Sequence, residues 1–296
     1  MQDQDRIARF AEGRGFVAAL DQSGGSTGKA LALYGVGEDR YSDEAEMMAL
    51  MHEMRVRIMT ASRFSGENIL GAILFERTMM DTVNGVPVPD HLWNGRGILP
   101  FLKIDAGLDK RNSGISLMKA IPKMDDRLGQ AVELGMFGTK MRSVIHEPIE
   151  RGVKTIVSQQ FEFADLIAGH GLLPIVEPEV SIDCEDKARC EDMLFEELSH
   201  HIGRLGPNRK IALKLTLPEN PGRYADIIAN ENVVRVTALS GGYDRAEACR
   251  RLAANSGMIA SFSRALVEGL VESMDDPTFD RELGSSIERI FAASCT

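Results

Sequence analysis

Three of the ten lysines, Lys103, Lys140 and Lys214, stand inside runs that are otherwise apolar. Lysine is almost never fully buried without a partner. A neutral lysine amine attacks carbonyl carbon. Its reference pKa is about 10.4, and burial and neighbouring cations both lower that value. Lys214 has the most apolar context of the three, IALKLTLP, and is the candidate nucleophile. A carbinolamine formed there must gain and lose protons, which a nearby carboxyl group can handle. Glu177 and Glu179, in PIVEPEV, are the candidates for that step. Cleaving the C–C bond of a β-hydroxy imine also needs a base on the hydroxyl. Asp21, which ends the run GFVAAL, fits that role. It also fits an N-cap or turn residue after that run.

Such residues need elements to position them. Short apolar runs recur at residues 15–20 (GFVAAL), 69–75 (ILGAILF), 98–104 (ILPFLKI) and 136–141 (MFGTKM). They continue at 172–177 (LLPIVE), 210–215 (KIALKL), 233–238 (VVRVTA) and 258–263 (MIASFS). Most are continuous rather than alternating, as strands covered on both faces should be. Amphipathic segments of helical period lie between them, at 44–59, 149–167, 187–202, 223–229, 244–254, 264–272 and 279–291. The helical pattern is least marked between the third and fourth runs. Eight alternations of strand and helix predict a (β/α)8 TIM barrel in a single domain, with a short helix over residues 3–11 before the first strand. An open doubly wound sheet would want G-x-G-x-x-G after an early strand, and QSGGSTG at 22–28 does not match it.

Active sites of TIM barrels lie at the C-terminal ends of the strands. Asp21, Lys103, Lys140, Arg142, Glu177, Glu179 and Lys214 all fall at that end. One lysine there would be explained by snorkelling or a structural ion pair. Three beside several carboxylates are hard to explain by stability alone. Loops after strands seven and eight of such barrels often hold phosphate through backbone N–H groups. Ser240-Gly241-Gly242 follows run seven and Arg264 follows run eight. A lone S-G-G is usually a turn, but its position after run seven, with a forked cation at the next strand end, raises its weight. Lys103 and Arg142, across the mouth, offer a second phosphate site. Ser23 and Ser26, in the polar loop after Asp21, line the expected mouth.

The bulk properties narrow the class. A net charge of −10 and a pI near 5.2 argue against nucleic acid or an anionic membrane as the main partner. No run approaches the roughly 20 apolar residues of a membrane span. The charged residues 1–12 lack a signal-peptide core, so a cytoplasmic location is expected. Cys184, Cys190, Cys249 and Cys295 form no C-x-x-C pair, and the six histidines show no metal signature. A metal-dependent mechanism has no visible ligand set.

Eight motifs now stand in order: AALDQSGGST, GAILFERT, PFLKID, FGTKMRS, PIVEPEV, LKLTLP, LSGGY and ASFSRAL. Together they cover nearly the whole chain, and it resembles the class I fructose-bisphosphate aldolases, most closely their bacterial branch. The resemblance implies a TIM barrel that cleaves fructose 1,6-bisphosphate through a lysine Schiff base, with no metal and no cofactor. It matches Lys214 to the Schiff-base lysine, Asp21 to the catalytic aspartate and Lys140 to the second active-site lysine. Glu177 matches the general acid/base, with Glu179 its neighbour. Ser240, Gly241 and Arg264 match the C1-phosphate site, while Lys103 and Arg142 match the C6-phosphate end. Members are often tetramers, so a homo-oligomer is compatible, although no stretch reads as an interface.

Two positions depart from the animal enzymes. Gln22 stands where they carry a glutamate, and no tyrosine follows Tyr243, whereas theirs end in one that moves protons at the enamine. A transaldolase-like Schiff-base barrel and a non-catalytic sugar-phosphate-binding barrel are the alternatives. The paired cationic clusters favour a bisphosphate over the first. The second would need a lost catalytic group, and every matched position is present.

Overall fold

A computed structural model describes residues 4–23 and 27–296. Helix α1 (Gln4–Glu12) precedes the first strand. Eight barrel strands follow: β1 (Phe16–Leu20), β2 (Ile69–Leu74), β3 (Leu99–Lys103), β4 (Gly138–Ile145), β5 (Leu173–Val180), β6 (Ile211–Thr216), β7 (Val233–Leu239) and β8 (Met258–Phe262). They lie in the order β3-β2-β1-β8-β7-β6-β5-β4, every neighbour is parallel, and β3 also pairs with β4. That last pairing closes the sheet into the expected barrel. Closure leaves no unpaired edge among the eight strands.

The longer helices are α2 (Glu44–Thr60), α3 (Met124–Glu133), α4 (Glu150–Gly169), α5 (Lys187–Ile202), α6 (Arg245–Ala253) and α7 (Asp276–Ala293). Aspartates start four of them. Asp43, Asp186, Asp244 and Asp275 each accept a hydrogen bond from a first-turn backbone N–H. Such caps satisfy donors that the helix itself leaves open. Helix α3 supplies the crossover that the sequence pattern marked least. The segment expected as a helix at 264–272 is helical only over Arg264–Val267. No helix among the described residues is long and apolar enough to cross a membrane.

The apolar side chains divide into two bodies. One lies between the strands and the outer helices. The other fills the barrel, where Val17, Ala19, Leu99, Phe101, Ile175 and Ala212 meet Phe10 of α1. Phe10 packs against Phe101 and Phe137 with ring centroids 5.2 and 6.0 Å apart. It thereby closes the end where the strands begin. Arg235 on β7 holds α1 in place by donating to the Phe10 and Gly13 carbonyls at 3.0 and 2.9 Å. Gly138 makes room for this packing. A Cβ there would stand 2.2 Å from the Leu173 carbonyl oxygen and 2.9 Å from the Phe101 ring. With one end filled by aromatic rings, the opposite end is left for polar side chains.

Candidate active site

Strand alternation sends every second side chain into the barrel. Ala212 belongs to the interior core, so Lys214, two residues on, rises above it. By the same count Glu177 and Glu179 follow Ile175, Asp21 follows Ala19, and Lys103 follows Phe101. Register then sets the neighbours: Lys103 pairs with Lys140, Arg142 with Glu177, and Thr237 with Lys214. Val176 pairs with Leu213, which places the next residues, Glu177 and Lys214, side by side. Strand β5 runs on to Val180, so Glu179 sits within the strand rather than in the loop beyond it.

The result is a buried network of alternating charge. Lys214 Nζ lies 3.1 Å from Glu177 Oε1. Lys140 Nζ lies 2.6 Å from Asp21 Oδ2, 3.2 Å from Glu177 Oε2 and 3.9 Å from Asp105 Oδ2. Burial alone would raise the pKa of Asp21, but the charges of Lys140, Lys214 and Lys103 outweigh it and hold the carboxyl below its ordinary range. Burial alone would likewise lower Lys140, yet Asp21, Glu177 and Asp105 keep its ammonium charged well above the usual lysine range. Glu177 Oε2 makes no hydrogen bond although it is buried. The nearest charged neighbour of that oxygen is the Lys140 ammonium, 3.2 Å away. The Glu177 backbone is fixed by Gln160 of α4, whose Oε1 accepts from Glu177 N at 2.8 Å and whose Nε2 donates to Ser143 at 2.6 Å.

A cavity of about 570 Å³ opens above this network. Asp21, Lys140, Glu177, Glu179 and Lys214 line its floor and walls, with Ser240, Gly241 and Arg264 on one side and Lys103 and Arg142 on another. At the first side the chain turns through positive φ, +65° at Gly241 and +128° at Gly242. A Cβ on Gly241 would stand 2.6 Å from Ile182 Cγ2, so only glycine is accommodated there. The Arg264 guanidinium lies close by, with its NH2 3.5 Å from where a Gly242 Cβ would be. Arg264 is exposed and has no carboxylate partner among the described residues. Small backbone turns beside a guanidinium with no carboxylate partner among the described residues can hold an anion.

The other side differs. Lys103 binds Asp105 at 2.6 Å and Arg142 binds Glu179 at 2.6 Å, so both cations there already hold a carboxylate. Burial would lower Arg142, and Glu179 more than offsets this. Ser23, Lys103 and Arg142 are shared with a second cavity of about 1110 Å³ that extends toward Lys119, Lys123 and Arg127. Ser23 thus lines both spaces, as expected of a mouth residue; Ser26 lies outside the described residues. Glu76 borders the larger cavity and pairs with Arg127 at 2.9 Å.

Sequence reasoning missed several members of the site. Asp105 neutralises Lys103, and its signal was available two residues beyond that lysine in PFLKID. Gln22, Ser261 and Ser263 line the cavity from within two of the quoted motifs. Lys29 and Leu33 reach it from a short helix, Thr27–Leu33, whose sequence carries no comparable pattern. Buried Arg55 of α2 donates to the Gln22 carbonyl, and to Thr78 at 3.2 Å. Burial brings its pKa down to about 10, against the opposing pull of Asp21.

Known proteins share both this sequence and this fold. The family model described as fructose-bisphosphate aldolase class-I matches residues 5–214. A curated protein of Clostridium acetobutylicum named fructose-bisphosphate aldolase class 1 is 48% identical over 294 residues, covering 99% of this chain and 100% of its own. A Synechocystis protein of the same name is 49% identical, covering 99% of this chain and 98% of its own. Among solved structures, fructose-bisphosphate aldolase from Plasmodium falciparum, crystallised with TRAP and a small-molecule inhibitor, superposes with a TM-score of 0.75. The match covers 98% of this chain and 93% of that one at 18% identity, a likeness of fold. A Corynebacterium glutamicum protein of 13% identity superposes with a TM-score of 0.57, over 99% and 92% of the two chains. With near-half identity along its whole length to two curated relatives, and a barrel that gathers Lys140, Lys214, Asp21 and Glu177 at one mouth, the chain belongs to the class I fructose-bisphosphate aldolase family.

Proposed function

We propose that this chain reversibly cleaves fructose 1,6-bisphosphate to dihydroxyacetone phosphate and glyceraldehyde 3-phosphate through an imine on Lys214. The observation that carries the proposal is the 3.1 Å approach of Lys214 Nζ to Glu177 Oε1, set between Arg264, which has no carboxylate partner among the described residues, and the Lys103–Arg142 cluster. Ser240, Gly241, Gly242 and Arg264 take the C1 phosphate, and Lys103 and Arg142 face the C6 phosphate. A bisphosphate uses both clusters.

Lys214 passes a proton to Glu177 and attacks the C2 carbonyl. Glu177 returns a proton to the carbinolamine hydroxyl, which leaves as water. The iminium that remains draws electrons from the C3–C4 bond. Asp21, kept anionic by Lys140, removes the proton from the C4 hydroxyl, and glyceraldehyde 3-phosphate departs. The enamine is then protonated at C3, and hydrolysis of the iminium releases dihydroxyacetone phosphate and regenerates Lys214. Lys140 acts as a fixed cation that orients Asp21 and Glu177. Glu179 holds Arg142 in place. The mechanism calls for no metal.

The test is borohydride trapping with dihydroxyacetone phosphate in the presence of a chelator, followed by peptide mass spectrometry. A reduced adduct on Lys214, absent from a folded Lys214→Met variant that has lost turnover, is the expected result. No adduct, with activity abolished by the chelator, overturns the proposal.

A further inference from the structure

The Ser263 hydroxyl has no role in the mechanism above, yet its surroundings give it a direction. Gln22 follows Asp21 at the end of β1, and Ser263 separates β8 from Arg264. Gln22 Nε2 donates to Ser263 Oγ at 2.5 Å. An amide N–H is a donor only, so the serine oxygen is the acceptor in this pair and its own proton must point elsewhere. Among the described residues no acceptor takes that proton. Gln22 is itself held from beneath, because buried Arg55 donates to its carbonyl. Both Gln22 and Ser263 line the cavity, and Ser240, Gly241 and Arg264 share that wall.

We infer that Ser263 is a further donor to the anion held by Ser240, Gly241, Gly242 and Arg264, and that Gln22 is the positioning residue that turns the hydroxyl toward it. The inference rests on the assignment of that wall to the C1 phosphate. The neutral amide is central to it. A carboxylate at position 22 would accept the serine proton and turn it away from the ligand. It would also place a negative charge beside the phosphate.

The experiment compares dihydroxyacetone phosphate with dihydroxyacetone, which lacks the phosphate, by the concentration dependence of borohydride trapping on Lys214. Ser263→Ala weakens the phosphorylated ketone on the order of tenfold, the loss of one hydrogen bond to a charged group, and leaves dihydroxyacetone unchanged. Ser263→Thr, which keeps the hydroxyl, restores most of the affinity. Gln22→Glu weakens the phosphorylated ketone selectively, and by a smaller factor when Ser263 is already alanine. Equal losses for both ketones, or none, in Ser263→Ala overturn the inference. Arg264→Gln separates the two levels. If that variant keeps the full preference for the phosphorylated ketone, the phosphate assignment itself fails. If it loses the preference while Ser263→Ala keeps it, only the role of Ser263 fails.

Discussion

Replacing Lys140 with methionine removes the central cation of the site while preserving much of the side-chain volume. Asp21 then loses a partner at 2.6 Å and Glu177 one at 3.2 Å. Glu177 keeps Lys214, and Lys103 is already engaged by Asp105, so Asp21 is left without a direct partner and feels only the more distant charges of Lys214 and Lys103. At an effective dielectric constant of about 20, the lost attraction at that distance is about 6 kcal/mol in gross terms. The variant has a less costly route, which is to protonate Asp21. From the ordinary aspartate value of 3.8 to neutral pH, at about 1.36 kcal/mol per unit, that route costs about 4 kcal/mol. This caps the loss of stability near neutrality and matches the roughly 3–5 kcal/mol for breaking a buried pair.

The sign with pH follows from linkage. In the wild type, Asp21 sits below 3.8, so its contribution is present above that value and is lost as pH falls through the folded pKa. Lys140 sits above 10.5, so its contribution is present below that value and is lost as pH rises through the folded pKa. Both contributions are therefore flat between about pH 4 and pH 10. In the variant, folded Asp21 binds a proton that the unfolded chain does not, so its stability falls as pH rises. Urea denaturation of both proteins should show a difference of about 4 kcal/mol at pH 7 that shrinks by about 1.36 kcal/mol per unit toward pH 5. A difference that stays constant over that range refutes the reasoning.

Two further outcomes are expected. Phe10→Ala empties the lower end of the barrel and should cost about 3–5 kcal/mol in denaturant midpoint measurements, while kcat of the folded protein is retained; a loss under about 1 kcal/mol contradicts the plugging role. Gly241→Ala meets Ile182 at 2.6 Å in a positive-φ turn, so KM for the bisphosphate should rise roughly tenfold and stability should fall by about 1–2 kcal/mol; an unaltered KM argues against phosphate at that loop.

The sequence alone determined the repeating strand–helix order and the strand ends at which the lysines and carboxylates cluster. Both are local properties: continuous apolar runs and helical periodicity mark buried strands and covering helices wherever they occur in the chain. It also placed Lys214 in the most apolar lysine context. Only the tertiary structure decided which charge faces which. Lys140 touches Asp21 across more than a hundred residues of chain, and that contact follows from barrel closure through β3 and β4. Closure likewise showed that Lys103 and Arg142 already hold carboxylates while Arg264 has none among the described residues, a distinction invisible in a list of cations. Gln160 and Arg55 escaped notice because each lies on an ordinary amphipathic helix. What sets them apart is burial against the back of the site, and burial depends on how the helices pack around the barrel, not on the residues beside them in sequence.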